Sequence, residues 1–205
     1  MRVRFGRAPA KMSVMPRLSI FLLLLLLPAA AQAAPDRPWR ASLYGGIATR
    51  NDTTDIFLHG HFHPDGARLG VALDRELADL GAGFTLEAEL AAATFLSKGD
   101  ETSVDLGLGV RYSFDFLGNA ESIALMTGPS FADQPPSIST GTWHGAPIRF
   151  KRMPWLNYVG GEVAAALTPR WNAVLRYYHR SGAFGLFAPN ADEGSTFALG
   201  LQYRF

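Results

Sequence analysis

Three residues near the C-terminus have the types and spacing of an acyl-transfer set: His179, Ser181 and Glu193. A serine hydroxyl is a weak nucleophile until a base takes its proton. An imidazole does this near neutral pH, and a carboxylate holds the ring in the right tautomer and stabilises the imidazolium that forms. Residues two apart on a strand project to the same face with alpha carbons about 6.5–7 Å apart. A histidine ring spans much of that gap, more easily where a strand bends or bulges at its end. Gly182 follows the serine, and its backbone N–H is a candidate oxyanion donor. The bland alternative is that all three are interfacial polar residues at the end of a strand.

Such a set needs elements that hold it, and the chain offers eight of them. Apolar residues recur at every second position near 39–49, 66–77, 83–94, 102–116, 121–131, 156–167, 171–181 and 195–205. In the fourth, Val104, Leu106, Leu108, Val110, Tyr112, Phe114 and Phe116 share one parity, while Asp105, Arg111 and Asp115 share the other. A period of two gives a sheet with two chemically different faces. The polar face carries Glu87, Glu89, Asp105, Arg111, Glu162, Arg176 and Arg204, and the other is rich in Leu, Phe and Val. Segments of this length suit tilted strands that cross a bilayer. Mixed-sign charges on the inner face can pair in the filled lumen of a small barrel. The connections after the second, fourth and sixth strands are short and those after the first, fifth and seventh long, the alternation of outer-membrane barrels. The expected fold is therefore all-β, an eight-stranded antiparallel up-and-down transmembrane β-barrel. A lipocalin-like soluble binder would need an apolar lumen, which these charges oppose.

Sidedness then decides what the three residues can reach. In the seventh strand Arg176 and Arg180 belong to the lumen, so Trp171, Leu175, Tyr177, His179 and Ser181 face outward. The eighth strand also turns its odd residues outward, and Glu193 is expected to extend that register. The seventh strand runs toward the outer surface and the eighth returns from it. The set should therefore sit at the outer end, against hydrocarbon.

Composition is consistent with an exported membrane protein. Arginines and Lys11 precede an apolar run from Leu18 to Pro28, followed by Ala31-Gln32-Ala33 as a cleavage site. Residues 1–33 are expected to be a signal peptide, with Met12 or Met15 as alternative starts, and 34–205 the barrel domain. The chain has no cysteine, so disulfides do not stabilise it. Its net charge of +1 shows no polyanion-binding character, which argues against nucleic acid as a partner.

The segment Tyr177-Tyr178-His179-Arg180-Ser181-Gly182, then Glu193, then a closing strand ending Gln202-Tyr203-Arg204-Phe205, resembles the lipid A 3-O-deacylases. The match covers about the last thirty residues, and the rest agrees as barrel architecture. The resemblance implies an outer-membrane enzyme that hydrolyses the ester-linked 3-O-acyl chain of lipid A. Ser181 would be the nucleophile, His179 the base and Glu193 the carboxylate, and no cofactor is required. It implies lipid A, or lipopolysaccharide, in the outer leaflet as partner, and leaves a homodimer open. One position departs: the family has an asparagine after the serine, where this chain has Gly182. The alternative function is a non-catalytic outer-membrane barrel, structural or adhesive.

Other residues have candidate roles. Phe184 and Phe187, with Ala183 and Leu186, make an apolar loop that either dips into the leaflet toward acyl chains or packs over the barrel mouth. Arg149, Lys151 and Arg152 are candidates for lipid A phosphates, or a solvated charge run. His59, His61 and His63 alternate as metal ligands can, but no cysteine or acidic cluster accompanies them, so a loop with incidental histidines is the expectation. No metal site is expected.

Overall fold

The computed structural model describes residues 38–49, 51, 53–96, 101–116, 119–133, 137–143, 146–183, 186 and 192–205. The expected signal peptide, 1–33, lies outside them. Eight strands close a barrel: β1 (Trp39–Thr49), β2 (Pro64–Gly81), β3 (Phe84–Phe95), β4 (Thr102–Phe116), β5 (Asn119–Ala132), β8 (Trp155–Ala166), β9 (Trp171–Ser181) and β10 (Asp192–Arg204). Each pairs antiparallel with its neighbours, and β1 closes on β10 with Arg40 opposite Arg204 and Thr49 opposite Ser195. Three further elements sit in the long connections at one end of the barrel: a helix α1 (Thr53–His59) after β1, and the hairpin β6 (Ser137–Trp143) and β7 (Ala146–Arg152) between β5 and β8.

Alternation along the strands separates lumen from exterior as the sequence pattern requires. Arg40, Arg68, Asp74, Glu87, Glu89, Asp105, Arg111, Glu162 and Arg176 are all buried. Leu106, Leu125, Leu199 and Leu201 are among the large apolar side chains left exposed, at 50–70 %. An eight-stranded barrel whose ionic residues are internal and whose leucines face outward is a molecule turned inside out for lipid. Among the described residues no helix is long and apolar enough to cross a membrane.

The lumen is a network of ion pairs. The Arg111 guanidinium lies between Glu87, at 3.0 Å, and Glu162, at 2.8 Å. Arg176 pairs with Glu89 and, at 3.3 Å, with Glu162, and Arg40 with Glu87. Pairing of this kind is required, because an isolated charge in a dry interior is strongly unfavourable. Arg204 is the exception to the expected lumen set: it lies at the open end of the barrel and is exposed.

At that end, a two-residue turn joins β2 to β3, with Ala82 (φ 52°) and Gly83 (φ 83°) both in the left-handed region that such turns demand. β2 is longer than the sequence pattern indicates. Register shifts between Glu76 and Ala78, and again between Asp79 and Gly81, carry it beyond the point where simple alternation stops. Aromatic pairs collect at the two ends, Trp171–Tyr203 and Phe84–Tyr112 at this one, Phe131–Trp155 at the other. Such girdles mark the two membrane interfaces.

Candidate functional site

β9 reaches the end of the barrel that carries the long connections, and Arg180 fixes it there. From its lumen-side position Arg180 donates through Nε to Ser130 Oγ at 2.8 Å and through Nη2 to the Pro154 carbonyl at 2.5 Å and the Met153 carbonyl at 3.2 Å. It also reaches Glu101 at 3.5 Å. One buried cation thus ties β9 to β5 and to the segment entering β8. The residues on either side of it, His179 and Ser181, are turned the other way and are half-buried on the exterior.

Strand register sets their neighbours. In the row nearest the rim, Asn157 of β8 lies opposite Ser181, and Asp192 of β10 lies opposite it on the other side. In the next row Val159 and Ser195 flank His179, and in the third Gly161 and Phe197 flank Tyr177. Residues directly opposite on one face have Cβ atoms about 4.5–5.5 Å apart. Asn157, Ser181, His179 and Ser195 therefore form one contiguous polar patch above the apolar belt.

The imidazole has a defined partner in this patch. Its Nδ1 lies 3.1 Å from Ser195 Oγ. Ser195 Oγ is 3.0 Å from the Tyr177 hydroxyl, which is 2.6 Å from Thr53 Oγ1 at the start of α1. Four polar groups on three elements form one chain of hydrogen bonds. α1 and the segment after it lie over it: Phe57 of the helix packs edge-on against Tyr177 (5.4 Å between centroids) and Phe197 (5.9 Å), and Phe62 beyond it packs on Phe197 (5.9 Å). This cover explains why Ser195, outward by parity, is only 2 % exposed.

Ser181 ends its strand. The Ala183 N–H donates to Ser181 Oγ at 3.4 Å, across a turn in which Ala183 has a positive φ of 48°. That interaction uses an oxygen lone pair and leaves the hydroxyl proton to be given to a base. Gly182 is buried beside it.

Glu193 does not continue the alternation as expected. Asp192 pairs with Ser181 and Gly194 with Arg180, so Glu193 is the extra residue of a β-bulge. β10 begins at Asp192, three residues before the expected start. A bulge re-aims the side chains around it, and Ser195, not Glu193, becomes the residue directly across from His179. The side chain of Glu193 lies outside the described residues. So do Phe184 and Phe187; Leu186 of the same loop is exposed at 84 %. Arg149, Lys151 and Arg152 fall in β7, a strand the alternation did not predict, with their side chains again outside the described residues. β7 comes alongside β10, so these cations belong to the same end of the molecule as the patch. His59 and His61 stack at 5.9 Å, and His63 donates its backbone N–H to Asn51 Oδ1 at 3.0 Å. Among the described residues no group of three metal ligands converges.

Sequence reasoning missed two members of the patch. Ser195 shares the parity of His179, which was a usable signal, but its pairing with the imidazole depends on register. Asn157 is legible as an outward residue of β8, and nothing in one strand's pattern says that Ser181 is its neighbour.

No family model and no curated protein sequence matches this chain. Solved structures do. The outer-membrane enzyme PagL superposes with a TM-score of 0.50 at 14 % identity, over 81 % of this chain and 98 % of that one. Neisserial surface protein A gives 0.49 at 10 % identity (82 % and 97 %), and Ail, the attachment invasion locus protein of Yersinia pestis, 0.48 at 11 % (82 % and 98 %). Likeness at these identities is likeness of fold.

Proposed function

The chain is an eight-stranded antiparallel barrel of the outer membrane, and we propose that it hydrolyses an ester-linked 3-O-acyl chain of lipid A. Ser181 attacks the acyl carbonyl, His179 takes its proton and later returns it to the leaving sugar oxygen, and the Glu193 carboxylate stabilises the imidazolium formed between the two steps. The Gly182 N–H donates to the oxyanion. Water then releases the acyl chain from Ser181 by the same acid–base exchange in reverse. Arg149, Lys151 and Arg152 meet the lipid A phosphates, and Phe184 and Phe187 contact its acyl chains.

The observation that carries this reading is the outward patch itself. A histidine and a serine two residues apart lie on the exterior wall at the outer end, just above exposed leucines. Polar side chains on a lipid-facing wall are unfavourable unless they serve the interface or the substrate. A substrate that diffuses laterally in the outer leaflet meets this wall without leaving the membrane. With Nδ1 engaged by Ser195 Oγ, Nε2 is the ring nitrogen left to take the Ser181 proton in this mechanism. The resemblance of residues 177–205 to the lipid A 3-O-deacylases supplies the substrate class, and the fold of this chain is one that an outer-membrane enzyme also has.

Mass spectrometry of lipid A from cells expressing the protein tests the reading. Loss of one hydroxyacyl mass with the wild type and its retention with Ser181→Ala is the expected result. Identical spectra from the two would leave a structural or adhesive barrel.

A further inference from the structure

We propose that Ser195 is the positioning residue of the imidazole, setting the His179 tautomer through a hydrogen-bond relay that ends on α1. The inference deepens the hydrolase reading and rests on it for its catalytic consequence. Its geometric part stands on four groups: His179 Nδ1 to Ser195 Oγ, 3.1 Å; Ser195 Oγ to Tyr177 Oη, 3.0 Å; Tyr177 Oη to Thr53 Oγ1, 2.6 Å.

Each hydroxyl in the chain has one proton to give, so the three bonds allow four arrangements, and Ser195 donates to Nδ1 in one of them. There, Thr53 donates to Tyr177, Tyr177 to Ser195 and Ser195 to Nδ1. The ring then carries its proton on Nε2 and cannot accept one from Ser181. In the other three, Nδ1–H donates to Ser195, as when Ser195 donates on to Tyr177 and Tyr177 to Thr53. Nε2 then presents a lone pair, which is the form a general base requires. Only these three survive proton transfer, because an imidazolium donates from both nitrogens and needs an acceptor at Nδ1. Ser195 Oγ is that acceptor, and the Tyr177 hydroxyl beyond it takes Ser195's own proton.

Burial makes the relay specific. Ser195 is 2 % exposed, under Phe57 and Phe62 as they close on Tyr177 and Phe197. Where water is excluded, the ring finds its partner in protein, and the acceptor that an Nδ1–H needs is already in place. The division of labour follows from register. Ser195, directly across from His179, sets the ring's tautomer and orientation. Glu193, on the bulge, supplies negative charge.

The test uses the full chain in detergent micelles, labelled with nitrogen-15 at histidine, with His179→Gln identifying the His179 resonances. The wild type is expected to show the Nδ1–H form. Ser195→Ala should lose that preference, and Ser195→Thr, which keeps the hydroxyl, should retain it. Tyr177→Phe removes the acceptor for Ser195's proton and should shift the ring in the same direction by less. Deacylation of lipid A should fall on the order of tenfold or more in kcat for Ser195→Ala, with KM within about twofold, and recover in Ser195→Thr. Glu193→Gln should lower kcat while leaving the tautomer unchanged. Heat-dependent gel mobility reports that each variant is a folded barrel. An unchanged tautomer in Ser195→Ala overturns the proposal even if the wild type deacylates lipid A. A shifted tautomer in a wild type without deacylase activity keeps the positioning role and discards the hydrolase reading.

Discussion

Asn157 of β8 stands directly opposite Ser181 of β9 on the outward face of the barrel. Its amide nitrogen donates to Thr127 Oγ1 at 3.2 Å, and the residue is 8 % exposed. Gly182 offers the serine a backbone N–H and no side chain. On the proposed hydrolase mechanism, Asn157 is the side-chain amide that register sets across from an oxyanion formed at Ser181. Asn157→Ala is expected to lower kcat by roughly tenfold to a hundredfold with little change in KM, since one donor to an oxyanion is worth about that much. Asn157→Asp should be worse, because a carboxylate repels the developing charge. Release of hydroxy fatty acid from purified lipid A measures both, and a kcat equal to wild type in Asn157→Ala would remove this residue from the site.

α1 gives a prediction about substrate. Phe57 is 60 % exposed and Leu58 76 %, yet Phe57 also packs on Tyr177 and Phe197 beside the histidine. An aromatic edge shared between lipid and site suits an acyl chain lying along the wall. The paired substitution Phe57→Ala with Phe62→Ala should raise KM for long-chain lipid A several-fold. Each methylene of the chain gains roughly 0.8 kcal/mol when fully buried, and the smaller side chains would cover only part of it. A short soluble ester should show no such change in KM. Equal effects on both substrates would mean that α1 and the segment after it support the site's structure and not the chain.

The sequence pattern was most legible where one rule acted alone. A period of two across β4 marks strand, lumen and exterior together, and from Val104 through Tyr112 the structure follows it. Legibility failed wherever a second rule interrupted the first. Bulges between Glu76 and Ala78 and between Asp79 and Gly81 extended β2 past its clean alternation. The bulge at Glu193 hid both the true start of β10 and the pairing of Ser195 with His179. α1 is two turns long, too short for a 3.6-residue period to declare itself. Among the described residues β6 and β7 pair only with each other, and their brief alternation between Ser137 and Arg152 did not stand out from an outer loop. For the site, parity put His179 and Ser181 on the outer wall from sequence alone. Their cross-strand neighbours required register, which no single strand encodes.

The lumen predicts a strong asymmetry between breaking and replacing charges. Arg111 is 3 % exposed and holds Glu87 and Glu162 at once, with a further donation to Ser122 Oγ at 2.8 Å. Arg111→Met leaves two carboxylates with a shared cation removed. It should cost about 3–5 kcal/mol, the usual penalty of breaking a buried pair from one side. Adding Glu162→Gln to it should recover part of that loss, because Glu87 keeps Arg40 and Arg176 keeps Glu89. Urea unfolding midpoints in detergent measure both, and a double variant no more stable than Arg111→Met would show that packing rather than charge governs this layer.

Tyr158 crosses the lumen over Gly107 and donates its hydroxyl to Glu89 Oε1 at 3.0 Å. A Cβ on Gly107 would lie 1.8 Å from that hydroxyl oxygen and 3.0 Å from the ring carbon behind it. The tyrosine cannot swing aside without abandoning Glu89, and it is stacked on Tyr178 at 5.6 Å. Gly107→Ala should therefore destabilise the barrel by about 1–3 kcal/mol, the cost of overpacking a filled interior. Tyr158→Phe alone should cost about 1 kcal/mol through removal of the hydrogen bond. The two together should cost less than their sum, because deleting the hydroxyl removes the nearest atom that the new methyl meets. Unfolding free energies for the four proteins of this cycle give the coupling directly. Strict additivity would mean that the clash at Gly107 is relieved by movement of the strand and not by the tyrosine.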